Sequence, residues 1–164
     1  IMCGLPGSGK STLAHQLTRG QAFCMVSADS FFMENGVYQF NASRLPQAHN
    51  QCLRNFAEAL HGQYDGSGGI IVDNTNCSLT EIAPYYRLAQ AYNYKPTVLY
   101  IPADAETCAQ RNVHGVPLEG ILKMETRLLF AQRNWPHDWR RLKWQEALGI
   151  TSMADVARYQ PRTA

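Results

Sequence analysis

Gly4-Leu5-Pro6-Gly7-Ser8-Gly9-Lys10-Ser11-Thr12 is the stretch that decides the reading of this chain. It fits the spacing G-x-x-x-x-G-K-[ST], with a second threonine following. Glycines at these intervals let backbone N–H groups turn inward around phosphate oxygens. A helix that begins at the lysine adds its positive N-terminal end to the same point. Lys10 is then placed to reach the outer phosphates of a nucleoside triphosphate, Ser11 to hold Mg²⁺, and Thr12 to touch the α-phosphate. The expected cofactors are therefore ATP and Mg²⁺.

Such a loop needs a strand before it and a helix after it. The helix is expected over 10–18, stopped by Gly20. Only Ile1-Met2-Cys3 precede the loop, where a strand of about five residues is usual. The first strand is therefore expected to be cut short here. Downstream, 22–27 reads as a short apolar strand, and Asn35-Gly36 between apolar residues signals a hairpin turn. Leu53, Phe56, Ala57 and Leu60 give 46–61 a helical period. Gly69-Ile70-Ile71-Val72 is an unbroken apolar run, the pattern of a strand buried on both faces. Ser78-x-x-Glu81 resembles a capping box. Pro84 would then fall inside the helix body, so the expected start moves to about Thr80. Residues 96–101 follow as a strand, and Asp104 caps a helix reaching about Asn112. Pro117 opens another, with Leu118, Ile121, Leu122, Leu128 and Leu129 expected on one face. From Trp135 onward the chain reads as irregular, with a short helix near 153–158. Residues 135–164 form a C-terminal extension of the one domain expected over 1–164.

Strands alternating with helices imply an α/β fold: a parallel sheet with helices on both faces, of the P-loop kinase kind. Ligands of such sheets lie at the carboxyl ends of the strands. Three chemical candidates fall there. One is the glycine loop. Another is Asp29, just after Val26-Ser27-Ala28. A hydroxyl that accepts a phosphoryl group needs a carboxylate to orient it and take its proton. The third is Asp73, which ends the Ile70-Ile71-Val72 strand and is suited to support Mg²⁺, directly or through water. Asn74-Thr75-Asn76 follow it and would face the acceptor. Arg111 stands just before His114-Gly115-Val116-Pro117, a Gly/Pro-punctuated arm that suits a lid. An arginine there can stabilise charge on a transferring phosphoryl group.

Bulk properties narrow the class less sharply. The formal charge of +2 is too small to announce a nucleic-acid partner, although a local basic groove needs no large net charge. Five scattered cysteines without a CxxC pair argue against a disulfide framework or zinc site and suit a reduced, cytoplasmic compartment. No stretch approaches the ~20 apolar residues of a membrane span, and no signal peptide is evident. Trp135, Trp139 and Trp144 alternate with Arg133, Arg140, Arg141 and Lys143. That pattern fits a base-stacking platform, and fits better a C-terminal segment packed on the domain.

Taken in order, GLPGSGKST, SADSFF, NGVYQFN, IIVDNTN and QRNVHGVP resemble the P-loop polynucleotide 5′-kinase family over about residues 1–128. The resemblance implies ATP-dependent phosphorylation of a 5′-hydroxyl on DNA or RNA. It implies phosphate and metal roles for Lys10 and Ser11, a base role for Asp29, an acceptor-side role for Asn74-Thr75-Asn76, and a lid role for Arg111. Phage members carry an arginine three residues after the base, gripping the acceptor phosphate, and a second arginine further along the lid. This chain has Phe32 at the first position, and a shorter lid where His114 is the nearest counterpart. Two other readings stand beside this one. They are a small-molecule kinase acting on a sugar, nucleoside or antibiotic hydroxyl, and an ATP-binding switch without catalysis.

Overall fold

The computed structural model describes residues 1–18, 23–62 and 69–143. The Gly20 stop, most of the 62–69 connection, Trp144 and the helix expected near 153–158 lie outside the described residues.

Two parallel sheets carry the domain. In one, β1 (Met2–Cys3), β6 (Val98–Tyr100) and β7 (Arg141–Lys143) lie in the order β1-β6-β7. In the other, β2 (Phe23–Val26) pairs with β5 (Gly69–Val72), Val26 opposite Val72. The sheets meet at their carboxyl ends. There the Gly4 N–H donates to Thr75 O at 2.9 Å, and Asn76 Nδ2 donates to Met2 O at 2.7 Å. The phosphate loop and the Asp73 turn are thus adjacent because the strands that carry them are tied together.

Alternation along the strands assigns the helices to opposite faces. Met2, Ile71 and Leu99 bury against Leu13, Ala14 and Leu17 of α1 (Lys10–Leu17). Their neighbours Cys3 and Val98 face the other way, toward Ile82 and Tyr86 of α3 (Leu79–Ala91) and Ile121 and Leu128 of α5 (Leu118–Arg133). Val26 and Val72 also face α3, and α2 (Leu45–His61) through Cys52 and Phe56. The α/β architecture read from the sequence is the one observed.

Three local expectations are corrected. First, the Ser78 cap that Pro84 argued against is present, and α3 starts at Leu79, one residue from the expected start. Ser78 Oγ accepts from the Glu81 N–H at 3.3 Å, and Glu81 Oε2 accepts from the Cys77 N–H at 2.7 Å. This cap fixes the start. Pro84 is accommodated inside the helix because the partner it denies is the carbonyl of Thr80, an exposed residue. Second, of the five apolar residues expected on one face of α5 only Ile121 and Leu128 are buried, while Leu118, Leu122 and Leu129 are exposed. Third, the segment after Trp135 is not wholly irregular, since β7 pairs in parallel with β6, Leu142 opposite Leu99. Trp135 and Trp139 pack on the domain, the reading their sequence pattern fitted better, and Trp139 stacks on Tyr86 with centroids 4.7 Å apart. None of the five cysteines is in a disulfide, and four of them are buried.

Between β2 and α2 the chain makes a 3-10 turn (Ala28–Phe32) and a hairpin of β3 (Met33–Glu34) and β4 (Val37–Tyr38). Asn35 and Gly36 take φ of 52° and 80°, as a two-residue turn matched to strand twist requires. The last helix to name, α4 (Ala105–Arg111), is capped by Asp104, which accepts from the Thr107 N–H at 2.8 Å.

Candidate active site

The phosphate loop is shaped by two glycines in the left-handed region. Gly7 has φ 81°, and Gly9, with φ 92°, is the residue before α1. Gly7 also has no room for a side chain, since a Cβ there would lie 2.3 Å from Cys108 O and 3.0 Å from Asn112 N. The loop therefore sits directly on the end of α4, against the backbone of Cys108 and Asn112. Ser11 and Thr12 are exposed at the start of α1, where helix N–H groups lack intrahelical acceptors.

Lys10 is buried, and its Nζ donates to Leu5 O at 2.7 Å. An ammonium has three N–H donors, so this bond orients it without exhausting it. Burial lowers the Lys10 pKa below the ordinary lysine value, and the nearby Asp73 charge partly opposes that shift. Asp73 is itself buried, and its Oδ1 has no hydrogen-bond partner among the described residues. A buried, unpartnered carboxylate oxygen is costly unless something else takes it up. With the Ser11 hydroxyl, it fits a Mg²⁺ that keeps water and phosphate oxygens as its remaining ligands. Among the described residues no cluster of three or more His, Cys, Asp or Glu could hold a metal alone.

Asp29 is exposed in the 3-10 turn, whose start is capped by Ser27 Oγ accepting from the Asp29 N–H at 3.2 Å. Its two carboxylate oxygens are approached from two different elements. The Tyr38 hydroxyl of β4 donates to Oδ1 at 3.0 Å, and His114 Nε2 of the α4–α5 loop lies 3.8 Å from Oδ2. The Tyr38 and His114 rings touch, with centroids 5.2 Å apart. Desolvation, then the Asp29 charge, push the Tyr38 phenol well above the ordinary tyrosine value, so it stays protonated and donating. Sequence reasoning had grouped Asp29 and His114 as candidates but missed Tyr38. The one available signal was the Asn35-Gly36 turn, since a hairpin folded there brings β4 back over the 3-10 turn.

The remaining candidates divide. Asn74 is buried. Its Oδ1 accepts from the Ala28 N–H at 2.8 Å, and its Nδ2 reaches Cys52 Sγ and Tyr85 Oη, each at 3.4 Å. Asn76, at φ 47°, uses its amide on Met2 O. Both side chains are therefore committed to the fold, which corrects the expectation that they face an acceptor. Asn74 instead braces the turn that carries Asp29. Thr75 is half-buried, and its carbonyl anchors Gly4. Arg111 is exposed at the last residue of α4 and makes no hydrogen bond or ion pair among the described residues. The loop beyond it is shaped by Asn112, whose Nδ2 donates to Val116 O at 2.9 Å and whose Oδ1 accepts from the His114 N–H at 3.0 Å. Phe32 is 1% exposed, packed among Phe31, Tyr38 and Phe40.

A parallel α/β sheet, a glycine loop leading into a helix, and acids at the neighbouring strand ends define a P-loop kinase-like domain. The chain belongs to the family described as AAA domain, whose pattern its residues 1–114 match. It is 37% identical over 131 residues to NEDD4-binding protein 2 of Homo sapiens, a match covering 76% of this chain and 7% of that protein. The chain thus spans a small fraction of that relative's length. In fold it is similar to Chaetomium thermophilum Kti12 in complex with ADP-AlF3, with TM-score 0.57, 19% identity and 87% of each chain covered. It is also similar to the Mycobacterium tuberculosis APS kinase CysC in complex with AMPPNP and APS. There the TM-score is 0.56 at 16% identity, covering 91% of this chain and 94% of that one. No described helix is long and apolar enough to cross a membrane.

Proposed function

We propose that this domain transfers the γ-phosphate of ATP to a hydroxyl, and that the hydroxyl is a polynucleotide 5′ end. The observation that carries the reading is the Asp29 carboxylate. It is exposed, held at one oxygen by Tyr38, and stands after β2, whose neighbour β5 leads directly into Asp73 and, through Thr75, is tied to the phosphate loop.

In this reading the loop from Gly4 to Gly9 cradles the phosphates, and Lys10 neutralises charge on the outer ones. Ser11 and Asp73 hold Mg²⁺, which when bound offsets charge on the phosphate oxygens. Asp29 orients the acceptor hydroxyl and takes its proton as the oxygen attacks in line. Arg111 stabilises charge on the transferring group. His114 and Thr75 line the acceptor side. Polynucleotide 5′ ends are favoured by the sequence resemblance, which extends through the Asp29 turn and the lid.

One observation favours a second reading, a kinase of small molecules. Phe32, at the position where phage polynucleotide kinases carry a phosphate-gripping arginine, belongs to the apolar core. Labelled γ-phosphate transfer from ATP to a panel of 5′-hydroxyl RNA, 5′-hydroxyl DNA, nucleosides and sugars separates the two. Product on polynucleotides alone supports the first reading. Product on a sugar or free nucleoside alone, insensitive to salt, supports the second. ATP hydrolysis without transfer to any acceptor points to a switch.

A further inference from the structure

The hairpin beside Asp29 carries more exposed apolar surface than its two short strands need. Phe40 and Met33 are each 49% exposed, Met33 is the cross-strand partner of Tyr38, and the Phe40 ring lies beside the Tyr38 ring. Single exposed apolar residues are ordinary, but a cluster beside a carboxylate suggests a ligand with an apolar face.

The rings have a definite arrangement. The planes of Tyr38 and Phe40 are within 15° of parallel, with centroids 6.5 Å apart. Phe32 packs against both at steep angles, 75° to Tyr38 and 60° to Phe40, and is buried. It fixes the other two rings from below. A centroid separation of 6.5 Å is what residues two positions apart on one side of the chain give, so Tyr38 and Phe40 present adjacent, nearly parallel rings beside the carboxylate. The Tyr38 hydroxyl is already bonded to Asp29, so its ring runs from the carboxylate to the hairpin. A hydroxyl held at Asp29 therefore has a π-surface within the reach of one sugar.

We propose that Tyr38 and Phe40 form a stacking site for the nucleobase of the acceptor's 5′-terminal nucleotide. The site rests on the reading of Asp29 as the group that receives the acceptor hydroxyl. It needs no charge, which suits a neutral base: Glu34, the acid on the hairpin, is paired with Arg44 at 3.4 Å, and the Arg44 guanidinium lies 4.6 Å from the Phe31 ring centre. With Phe32 in place of a phosphate-gripping arginine, stacking takes over part of the hold on the acceptor. Stacking tolerates any base, so the site selects for the presence of a base rather than its identity.

The test uses the full chain and two 5′-hydroxyl DNA oligonucleotides. One has 2-aminopurine at its 5′ end, the other an abasic tetrahydrofuran residue. Binding is followed by 2-aminopurine quenching and by competition with the abasic strand, and phosphorylation by label transfer from ATP. Stacking predicts quenching on binding, and an affinity about 5- to 150-fold weaker for the abasic strand. Phe40→Ala should erase most of that difference and Phe40→Tyr restore it. Equal affinity for both strands, or a preference unchanged by Phe40→Ala, overturns the stacking site even when both strands are phosphorylated. Quenching that depends on Phe40 without any phosphate transfer keeps the stacking site and overturns the kinase reading instead. Neither binding nor transfer with either strand overturns both.

Discussion

Tyr38 donates its hydroxyl proton to Asp29 Oδ1 at 3.0 Å, across nine residues of chain that turn through a hairpin. The bond fixes one carboxylate oxygen and leaves Oδ2 facing His114 at 3.8 Å. A base held in one rotamer presents the same oxygen to every incoming hydroxyl. Tyr38→Phe removes that restraint without opening a cavity. The expected result is a fall in kcat of about 3- to 10-fold, from the loss of one exposed bond to a charged group, with the KM for ATP unchanged. Steady-state transfer to a 5′-hydroxyl oligonucleotide measures it. A matching rise in the KM for ATP would mean the hairpin serves the nucleotide instead.

Gly7 is the tightest point between the phosphate loop and α4. Gly7→Ala puts a methyl 2.3 Å from Cys108 O, a backbone atom that no side-chain rotation can move, and asks an alanine to hold φ 81°. Left-handed φ alone costs an L residue about 1–2 kcal/mol, and the clash adds to it. The expected outcome is a loss of about 3 kcal/mol or more in chemical denaturation, with weaker ATP binding in whatever remains folded. A loss below about 1 kcal/mol would mean that α4 yields easily.

Lys10 gives a pH dependence with a definite sign. Its pKa is lowered by burial. Phosphates favour the protonated form, so binding raises that pKa. ATP affinity is therefore full below the lowered pKa of the free protein. It falls, by up to about tenfold per pH unit, as pH rises from there toward the pKa of the bound state. Calorimetric titration with ATP across alkaline pH should show this decline beginning below the ordinary lysine range, accompanied by proton uptake. In Lys10→Met the affinity should be low throughout and the slope absent.

Asp73 carries the unpartnered buried oxygen. If that oxygen serves Mg²⁺, directly or through water, Asp73→Asn raises the Mg²⁺ concentration for half-maximal transfer by about 10- to 100-fold, the usual cost of losing a supporting group. Saturating Mg²⁺ should recover part of the rate. A Mg²⁺ dependence identical to the parent's would assign Asp73 to the fold alone.

How far the sequence told this in advance follows from the range of each interaction. The glycine loop and the apolar strand at Ile70-Ile71-Val72 are local patterns, and both were legible. The Asp104 and Ser78 caps are also local. The Ser78 cap was still set aside, because Pro84's cost depends on whether the carbonyl it leaves free is exposed. β7 was missed because Arg141-Leu142-Lys143 offers one apolar residue and two charges, and pairs with a strand some forty positions earlier. The exposed side of α5 was misread because Leu118, Leu122 and Leu129 keep helical spacing without being buried. In the candidate site, Lys10 was proposed from the glycine-loop motif, and Asp29 and Asp73 were proposed from their positions after strands. Tyr38 was not, since its role depends on how the hairpin folds back. Nor was it visible that Asn74 and Asn76 face inward, because an Asx-rich turn serves a ligand and a fold equally well by sequence.

The central claim is that Asp29 takes the proton of a hydroxyl to which the loop-bound triphosphate gives its γ-phosphate. The most direct measurement is label transfer from γ-labelled ATP to 5′-hydroxyl RNA and DNA, alongside ATP affinity, for the parent chain and Asp29→Asn. The account predicts product with the parent chain, a loss of about 100-fold or more in the variant, and ATP affinity within a few-fold of the parent's. Transfer undiminished in Asp29→Asn, or no transfer from the parent chain to any hydroxyl, contradicts it.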